Sequence, residues 1–334
     1  MPVLVADGEY AAAARELASR FPGLDLRCPT GEQSLDELVT PQVVGLVAQD
    51  VRVDQSLLAQ LPGLRAVLKL GRNYANIDAA AVRERRLAFG AVTRKGPNCV
   101  AELAMTMILA LSKDLLVSHR SVAEGAYRLR GLRPEPTSQW KMAFHWMRHT
   151  CLHEVNGKVL GIVGMGEIGY ELARRAAVMG MVVRYYKRRP LSPELERMAE
   201  ATYSDLPDLL RESDYVCLAV PHTPETERLI GPAELALMRP DAYLVNICRG
   251  GVVDEAALIE ALQDGRIAGA GLDVFTYEPL PADSPLCGLD NVILTPHVGG
   301  GSGTTRPGEL ATALDELTRI LSGEVPQLNL GLPR

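Results

Sequence analysis

Val159-Leu160-Gly161-Ile162-Val163-Gly164-Met165-Gly166-Glu167-Ile168-Gly169 decides the fold of this chain. An apolar run of strand length leads straight into three glycines, and an amphipathic helical pattern follows through Met179. The three glycines serve different ends. Gly164 permits a tight turn, Gly166 lets the backbone approach a pyrophosphate, and Gly169 allows close helix–strand packing. Glu167 and Ile168 start a helix whose free N–H groups and positive dipole end suit phosphate. A bare G-x-G-x-x-G also occurs as a structural glycine turn, but the strand before it and the helix after it make the pattern specific. Eighteen residues beyond Gly169 stands Lys187-Arg188-Arg189, at the end of Met181-Val182-Val183-Arg184-Tyr185-Tyr186. A carboxylate at this distance accepts hydrogen bonds from a ribose 2′-hydroxyl, whereas a cation accommodates a 2′-phosphate. The triplet therefore predicts NADP(H) over NAD(H); its bland alternative is a basic turn after a strand.

Outward from this loop, apolar runs alternate with helical spacing. Val182–Tyr186, Tyr215–Ala219, Tyr243–Ile247, Ala268–Leu272 and Val292–Leu294 read as further strands, with helices over Ile168–Met179 and Asp254–Gln263. Upstream, Val3–Ala6, Leu24–Arg27, Gly45–Ala48, Ala66–Leu70 and Phe89–Val92 read the same way, with helices over Glu9–Arg20 and Asp78–Arg86. Alternation of this kind implies parallel sheets. One long apolar helix is predicted from Ala101 to about Arg120, and a last helix over Glu309–Leu321. Residues 125–154 show no clear period. A segment that long without regular structure is usually functional or an interface.

A chain of 334 residues exceeds one ordinary core and fits two domains. With 47% apolar and 23% charged residues, the composition is that of a soluble globular protein. A net charge of −6 provides no footprint for nucleic acid or an anionic membrane. The most apolar helical stretch, Leu103–Ser112, is flanked by Glu102 and Lys113 and is too short to span a bilayer. The start, Met1-Pro2-Val3-Leu4-Val5, lacks a basic n-region and reads as a first strand. Six cysteines scattered without C-x-x-C spacing predict reduced thiols and a cytoplasmic protein.

From Gly157 to His297 the chain closely resembles the D-isomer-specific 2-hydroxyacid dehydrogenases. The resemblance is carried by Val220-Pro221-His222-Thr223-Pro224-Glu225-Thr226, by Leu244-Val245-Asn246-Ile247-Cys248-Arg249-Gly250-Gly251-Val252-Val253-Asp254-Glu255, by Gly269-Ala270-Gly271-Leu272-Asp273-Val274-Phe275 and by Thr295-Pro296-His297. It weakens over the first hundred residues, is lost in 125–154 and blurs after Gly299. The resemblance implies an α/β protein of two Rossmann-like, doubly wound parallel-sheet domains with a cleft between them. A flavodoxin-like substrate domain (1–99 and 300–334) would carry an inserted NAD(P)-binding domain (100–299).

Reducing a 2-oxo acid to its (R)-2-hydroxy acid needs a hydride donor, a proton donor and a cation for the carboxylate. His297 suits proton donation, since imidazole titrates near neutrality. Glu278, in Tyr277-Glu278-Pro279, would bond the other ring nitrogen and stabilise the imidazolium. Arg249 offers a planar fork of donors for a carboxylate and its adjacent carbonyl. Read singly, a His after Thr-Pro or a Glu before Pro is more often structural. The resemblance makes Arg249, Glu278 and His297 the catalytic set. It has Asp273 hold the nicotinamide carboxamide, and places Pro221, Thr226, Cys248, His297 and Gly299 against the cofactor with the glycine loop.

Gly71-Arg72-Asn73-Tyr74 departs from the family pattern, which usually has Gly-x-Gly in its substrate loop. Asn73 tolerates the left-handed backbone a glycine would adopt there. Arg72 adds a cation, so the small anionic substrate is expected to carry a second anionic group or to be a tetrahedral oxyanion; the bland alternative is an arginine pointing to solvent. Phosphite- or phosphonate-type substrates, formate (disfavoured by Glu278, where that branch has glutamine) and an NAD(H)-sensing co-repressor are the competing readings. His145, His149, Cys151 and His153 invite a metal. No acidic general base follows the H-E-x-x-H pattern, so no metal is expected. Trp140 and Trp146 suggest instead a homodimer contact or lid through 125–154 and the nucleotide domain. Gly299–Gly303, before Thr305-Arg306-Pro307-Gly308, reads as a flexible hinge.

Overall fold

The computed structural model describes residues 1–31, 33–71, 76–140, 146–148, 152–301 and 305–324. The chain divides into two compact units, residues 1–96 with 301–334, and residues 97–300. The first contains strands β1 (Pro2–Val5), β2 (Asp25–Arg27), β3 (Gly45–Ala48), β4 (Ala66–Leu70) and β5 (Ala88–Val92). All pair in parallel in the order β2-β1-β3-β4-β5, the flavodoxin-like arrangement. Both faces are buried, so side chains alternate between two cores. Val3, Val5, Val47 and Leu68 meet Leu310, Leu314 and Leu317 of the last helix, Thr305–Ser322. Leu4, Leu46 and Val67 meet Leu57, Leu58 and Val82 on the other side.

The second unit contains β6 (Val159–Val163), β7 (Val182–Tyr186), β8 (Ala201–Tyr203), β9 (Tyr215–Leu218), β10 (Tyr243–Asn246), β11 (Gly269–Leu272) and β12 (Val292–Leu294). Their order, β12-β11-β10-β9-β6-β7-β8, is the doubly wound order, with the reversal at β6 and β9. Ligands bind such sheets at that switch point, outside the carboxyl ends of the strands. One core packs Leu160, Ile162, Val183 and Tyr185 against Leu172, Ala173, Met107 and Ile108. The other packs Val163, Val216, Leu218 and Leu244 against Leu209, Leu235, Leu258 and Leu262.

Several expectations are corrected. The single helix predicted over Ala101–Arg120 is two helices, Gly96–Ser112 and Leu115–Ala123, with the chain turning at Asp114 in the left-handed region (φ 46°). The Ser112 carbonyl accepts from the His153 N–H (2.8 Å), and Lys113 reaches the His153 carbonyl (2.5 Å), so an outside segment interrupts the helical ladder. The short edge strand β8 escaped the sequence reading because three residues carry no usable alternation. The last helix begins at Thr305, four residues ahead of the predicted start at Glu309. Arg72, Asn73, Tyr74, His145, His149, Cys151 and the stretch 302–304 of the expected hinge lie outside the described residues. Among the described residues, no helix is long and apolar enough to cross a membrane.

Candidate active site

β6 runs into helix Glu167–Val178 through the glycine loop. Gly164 has φ +107°, and a Cβ on it would lie 2.5 Å from the Ala219 carbonyl oxygen, so the turn is pressed against the end of β9. A Cβ on Gly169 would run into the Gly164 carbonyl, whereas one on Gly166 would meet nothing within 4 Å. These are the demands of the motif: a turn, a packing contact and an open face at the helix N-terminus where Glu167 and Ile168 begin. The Gly164 N–H donates to Tyr186 O (2.9 Å), tying the loop to the strand that carries Lys187, Arg188 and Arg189. A cavity of about 660 Å³ extends from Gly164 and Gly166 to that triplet, walled by Val220, Pro221 and Leu229. Lys187 is half-buried, and Arg188 and Arg189 are exposed. An open glycine face joined to a basic far wall fits a dinucleotide.

Two features of this wall were not legible from the motifs. Thr226 is committed to its own turn, its hydroxyl donating to Pro221 O (2.7 Å) and accepting from Thr223 N (2.8 Å). Glu225 brings a carboxylate into the same cavity. The Thr223 hydroxyl, its own backbone N–H and the Arg188 charge hold it below the ordinary carboxylate range against a small opposing effect of burial. Its signal in sequence was only its position inside the Thr223–Thr226 turn.

At the end of β10, Asn246 shapes the next turn, its Oδ1 accepting from Cys248 N (3.1 Å) and its Nδ2 donating to Arg249 O (3.1 Å). A Cβ on Gly250 would collide with the Phe275 carbonyl, which brings the two loops into contact. Arg249 is exposed and holds the Cys248 carbonyl through Nη1 (2.6 Å). Cys248 itself is buried, and burial pushes its thiol up to about 11, so it serves as packing and not as a nucleophile.

Asp273 is 1% exposed, and its carboxylate accepts three hydrogen bonds. Oδ1 accepts from Thr295 Oγ1 (2.5 Å) and Val298 N (2.9 Å), and Oδ2 from Gly299 N (2.8 Å). These bonds clamp the loop on both sides of His297, whose φ of 52° is a conformation that L-residues rarely adopt. The clamped loop presents His297 Nδ1 to Glu278 Oε2 at 2.7 Å, and Glu278 Oε1 accepts from Phe275 N (3.1 Å). Burial alone would raise the Glu278 carboxyl. The bonds from His297 and Phe275, with the His297 and Arg249 charges, outweigh it and hold the carboxyl below its ordinary value. His297 Nε2 is the ring nitrogen not engaged by Glu278. A second cavity, of about 530 Å³, opens beside the pair with Phe275, Leu280 and Leu294 in its wall. The second unit thus gathers Arg249, Glu278, His297 and Asp273 on adjoining loops.

The family described as D-isomer specific 2-hydroxyacid dehydrogenase, NAD binding domain, matches residues 105–299. Glyoxylate/hydroxypyruvate reductase B of Enterobacter sp. (strain 638) is 41% identical over 284 residues, 84% of this chain and 82% of that protein. The glyoxylate reductase of Thermococcus gammatolerans is 39% identical over 275 residues, 82% and 78% of the two chains. Among solved structures, apo D-mandelate dehydrogenase from Rhodotorula graminis superposes with a TM-score of 0.73 at 27% identity, over 100% of this chain and 98% of that one. With its doubly wound sheet, its glycine loop and more than half of its length matched, this chain belongs to the D-isomer-specific 2-hydroxyacid dehydrogenase family.

Proposed function

We propose that the chain is an NADPH-preferring reductase that converts a small 2-oxo acid to the (R)-2-hydroxy acid. The carrying observation is the His297–Glu278 pair at 2.7 Å beside Arg249, in a unit that also presents a glycine-loop dinucleotide cavity. The nicotinamide cofactor, held by Gly164–Gly169 and the Lys187–Arg189 wall, would supply the hydride. His297 gives the proton to the developing alkoxide from Nε2, while Glu278 fixes the ring and balances the imidazolium. Arg249 binds the carboxylate and polarises the neighbouring carbonyl through its donor fork. Asp273, sealed against the His297 loop, acts as a positioning residue.

Residues 1–99 and 300–334 are assigned to substrate recognition, and 100–299 to the dinucleotide. A homodimer through the nucleotide unit and the 125–154 segment is supported by the exposed apolar side chains Leu115, Val122, Leu129 and Trp140. The free thiols of Cys28, Cys217, Cys248 and Cys287 suit the reducing cytoplasm.

NADPH preference rests on the cavity wall formed by Lys187, Arg188 and Arg189. Lys187→Asp with Arg188→Ser replaces two cations by a carboxylate and a neutral acceptor. Partly exposed contacts to a phosphate contribute about 1–2 kcal/mol each, so the NADPH/NADH ratio of kcat/KM should fall about 30-fold or more. An unchanged ratio would show the triplet to be surface charge. Bound cofactor without turnover of glyoxylate, hydroxypyruvate or any other 2-oxo acid would favour a sensor over a reductase.

A further inference from the structure

Among the described residues, the charged groups in the wall of the dinucleotide cavity are the cations Lys187, Arg188 and Arg189 and one carboxylate, Glu225. The cations have a part in cofactor binding; the carboxylate has none so far. β7 and β9 flank β6 in the sheet, so the triplet after β7 and the loop after β9 border the glycine turn from opposite sides. All of these residues belong to the second unit. An acid lining a cavity that suits a polyphosphate opposes its ligand's charge, and that opposition calls for a function.

The backbone holds Glu225 in place. Thr226 N and Glu227 N both donate to the Thr223 carbonyl (2.9 Å each), and Thr226 Oγ1 donates to Pro221 O (2.7 Å). Farther along, Arg228 N donates to Gly251 O (2.8 Å), which pins the segment to the loop after β10. The neighbouring acid, Glu227, is paired with His222 and does not line the cavity. Glu225 is exposed, and Arg188 acts on it through charge and not through a hydrogen bond. Its carboxyl is held below the ordinary carboxylate range, so it is ionised at neutral pH.

We propose that Glu225 is a cofactor-selecting residue that works against the basic triplet, repelling a ribose 2′-phosphate and so narrowing the preference for NADPH over NADH. The proposal rests on the dinucleotide reading of the cavity and deepens it by naming the group that limits the preference. A 2′-phosphate in this cavity is attracted by the triplet and repelled by Glu225. The unphosphorylated ribose gives Glu225 no charge to repel, and its hydroxyls can donate to a carboxylate. Selectivity is the difference between two affinities, and a repulsive element aimed at one ligand changes it without a new contact to the other.

The test is equilibrium binding of NADPH and NADH, read from reduced-nicotinamide fluorescence, to the full-length protein and its Glu225→Gln and Glu225→Asp variants. Glu225→Gln should lower the Kd for NADPH about 3- to 10-fold at low salt and change that for NADH by less than about twofold. The gain should shrink as salt approaches roughly 0.5 M, because exposed charges are screened. Glu225→Asp keeps the charge and should stay within about twofold of wild type for both cofactors. Equal shifts for both cofactors, as a contact to the shared adenosine or a change of fold would give, overturn the proposal. So do an unchanged or weaker affinity for NADPH, a gain that persists in high salt, and a Glu225→Asp variant that tightens NADPH as much as Glu225→Gln. Wild-type protein that binds neither cofactor overturns the dinucleotide reading as well.

Discussion

Replacing Glu278 by Gln isolates what the carboxylate contributes to His297. The exchange keeps the side-chain shape and one acceptor but removes the charge facing Nδ1 at 2.7 Å. A hydrogen bond to a charged group contributes about 1.5–3 kcal/mol when shielded. Here the side chains are 43% and 36% exposed, so solvent screening reduces the expected contribution to about 1–2 kcal/mol. If that is spent on the imidazolium that forms and discharges during turnover, kcat should fall about 5- to 30-fold. KM should move less, because Glu278 acts through His297 and not on the substrate.

The pH profile supplies an independent readout. Glu278 is held below its ordinary value of 4.5 in the folded protein. A depressed carboxylate contributes fully above that ordinary value, and its contribution is lost as pH falls through the lowered one. The wild-type acid limb due to this pair should therefore lie below pH 4.5, and Glu278→Gln should have no such limb. The assay is steady-state reduction of glyoxylate with NADPH across the acid range, with thermal melts in parallel to exclude unfolding. Wild-type kcat in the variant at every pH would refute the pairing as a catalytic device and leave Glu278 as a loop anchor for Phe275.

The other predictions concern stability and positioning. Asp273→Asn turns an amide donor toward the Thr295, Val298 and Gly299 donors, so the site should lose about 2–3 kcal/mol and the melting temperature roughly 5–10 °C. Its kcat should drop as the His297 loop loosens; a melt within about 2 °C of wild type, roughly the shift of a single weak contact, would contradict the clamp. Tyr10→Phe removes the hydroxyl that bridges Gln49 (2.7 Å) and Glu309 (2.9 Å) inside the first unit. Burial and the Glu309 charge push that phenol well above the ordinary tyrosine value, so it remains a donor throughout the working pH range. Its loss should cost about 1.5–3 kcal/mol in urea unfolding, and a neutral result would mean that water replaces the hydroxyl.

Periodicity and turn chemistry made most of the framework legible. Strands such as Ala66–Leu70 and Val159–Val163 are short apolar runs bounded by glycine or charge, and in a parallel sheet buried on both faces such a run has few alternatives. Glycines at 164, 166 and 169 specify a backbone, and a backbone motif can be read without knowing its neighbours. The helix break at Asp114 was not readable, because His153, far along the chain, takes the Ser112 carbonyl. The commitment of Asp273 to the His297 loop was hidden for the same reason. A carboxylate in a motif does not say which donors surround it, and here three donors from the segment after β12 bind it.

By itself, then, the sequence determined what is local: the alternation of strands and helices, the glycine turn, the basic triplet at the end of β7 and the residue types able to carry a carboxylate, a proton and a hydride donor. Only the tertiary structure decided which of these groups are free to act. Thr226 and Asp273 hold loops in place, Cys248 is buried beyond reactivity, and His297 is turned toward Glu278 by a clamp that begins 24 residues earlier in the chain. The physical reason is that a side chain's chemistry depends on which hydrogen bonds it has already made and how much water it has lost. Both are set by residues distant in sequence that folding brings into contact.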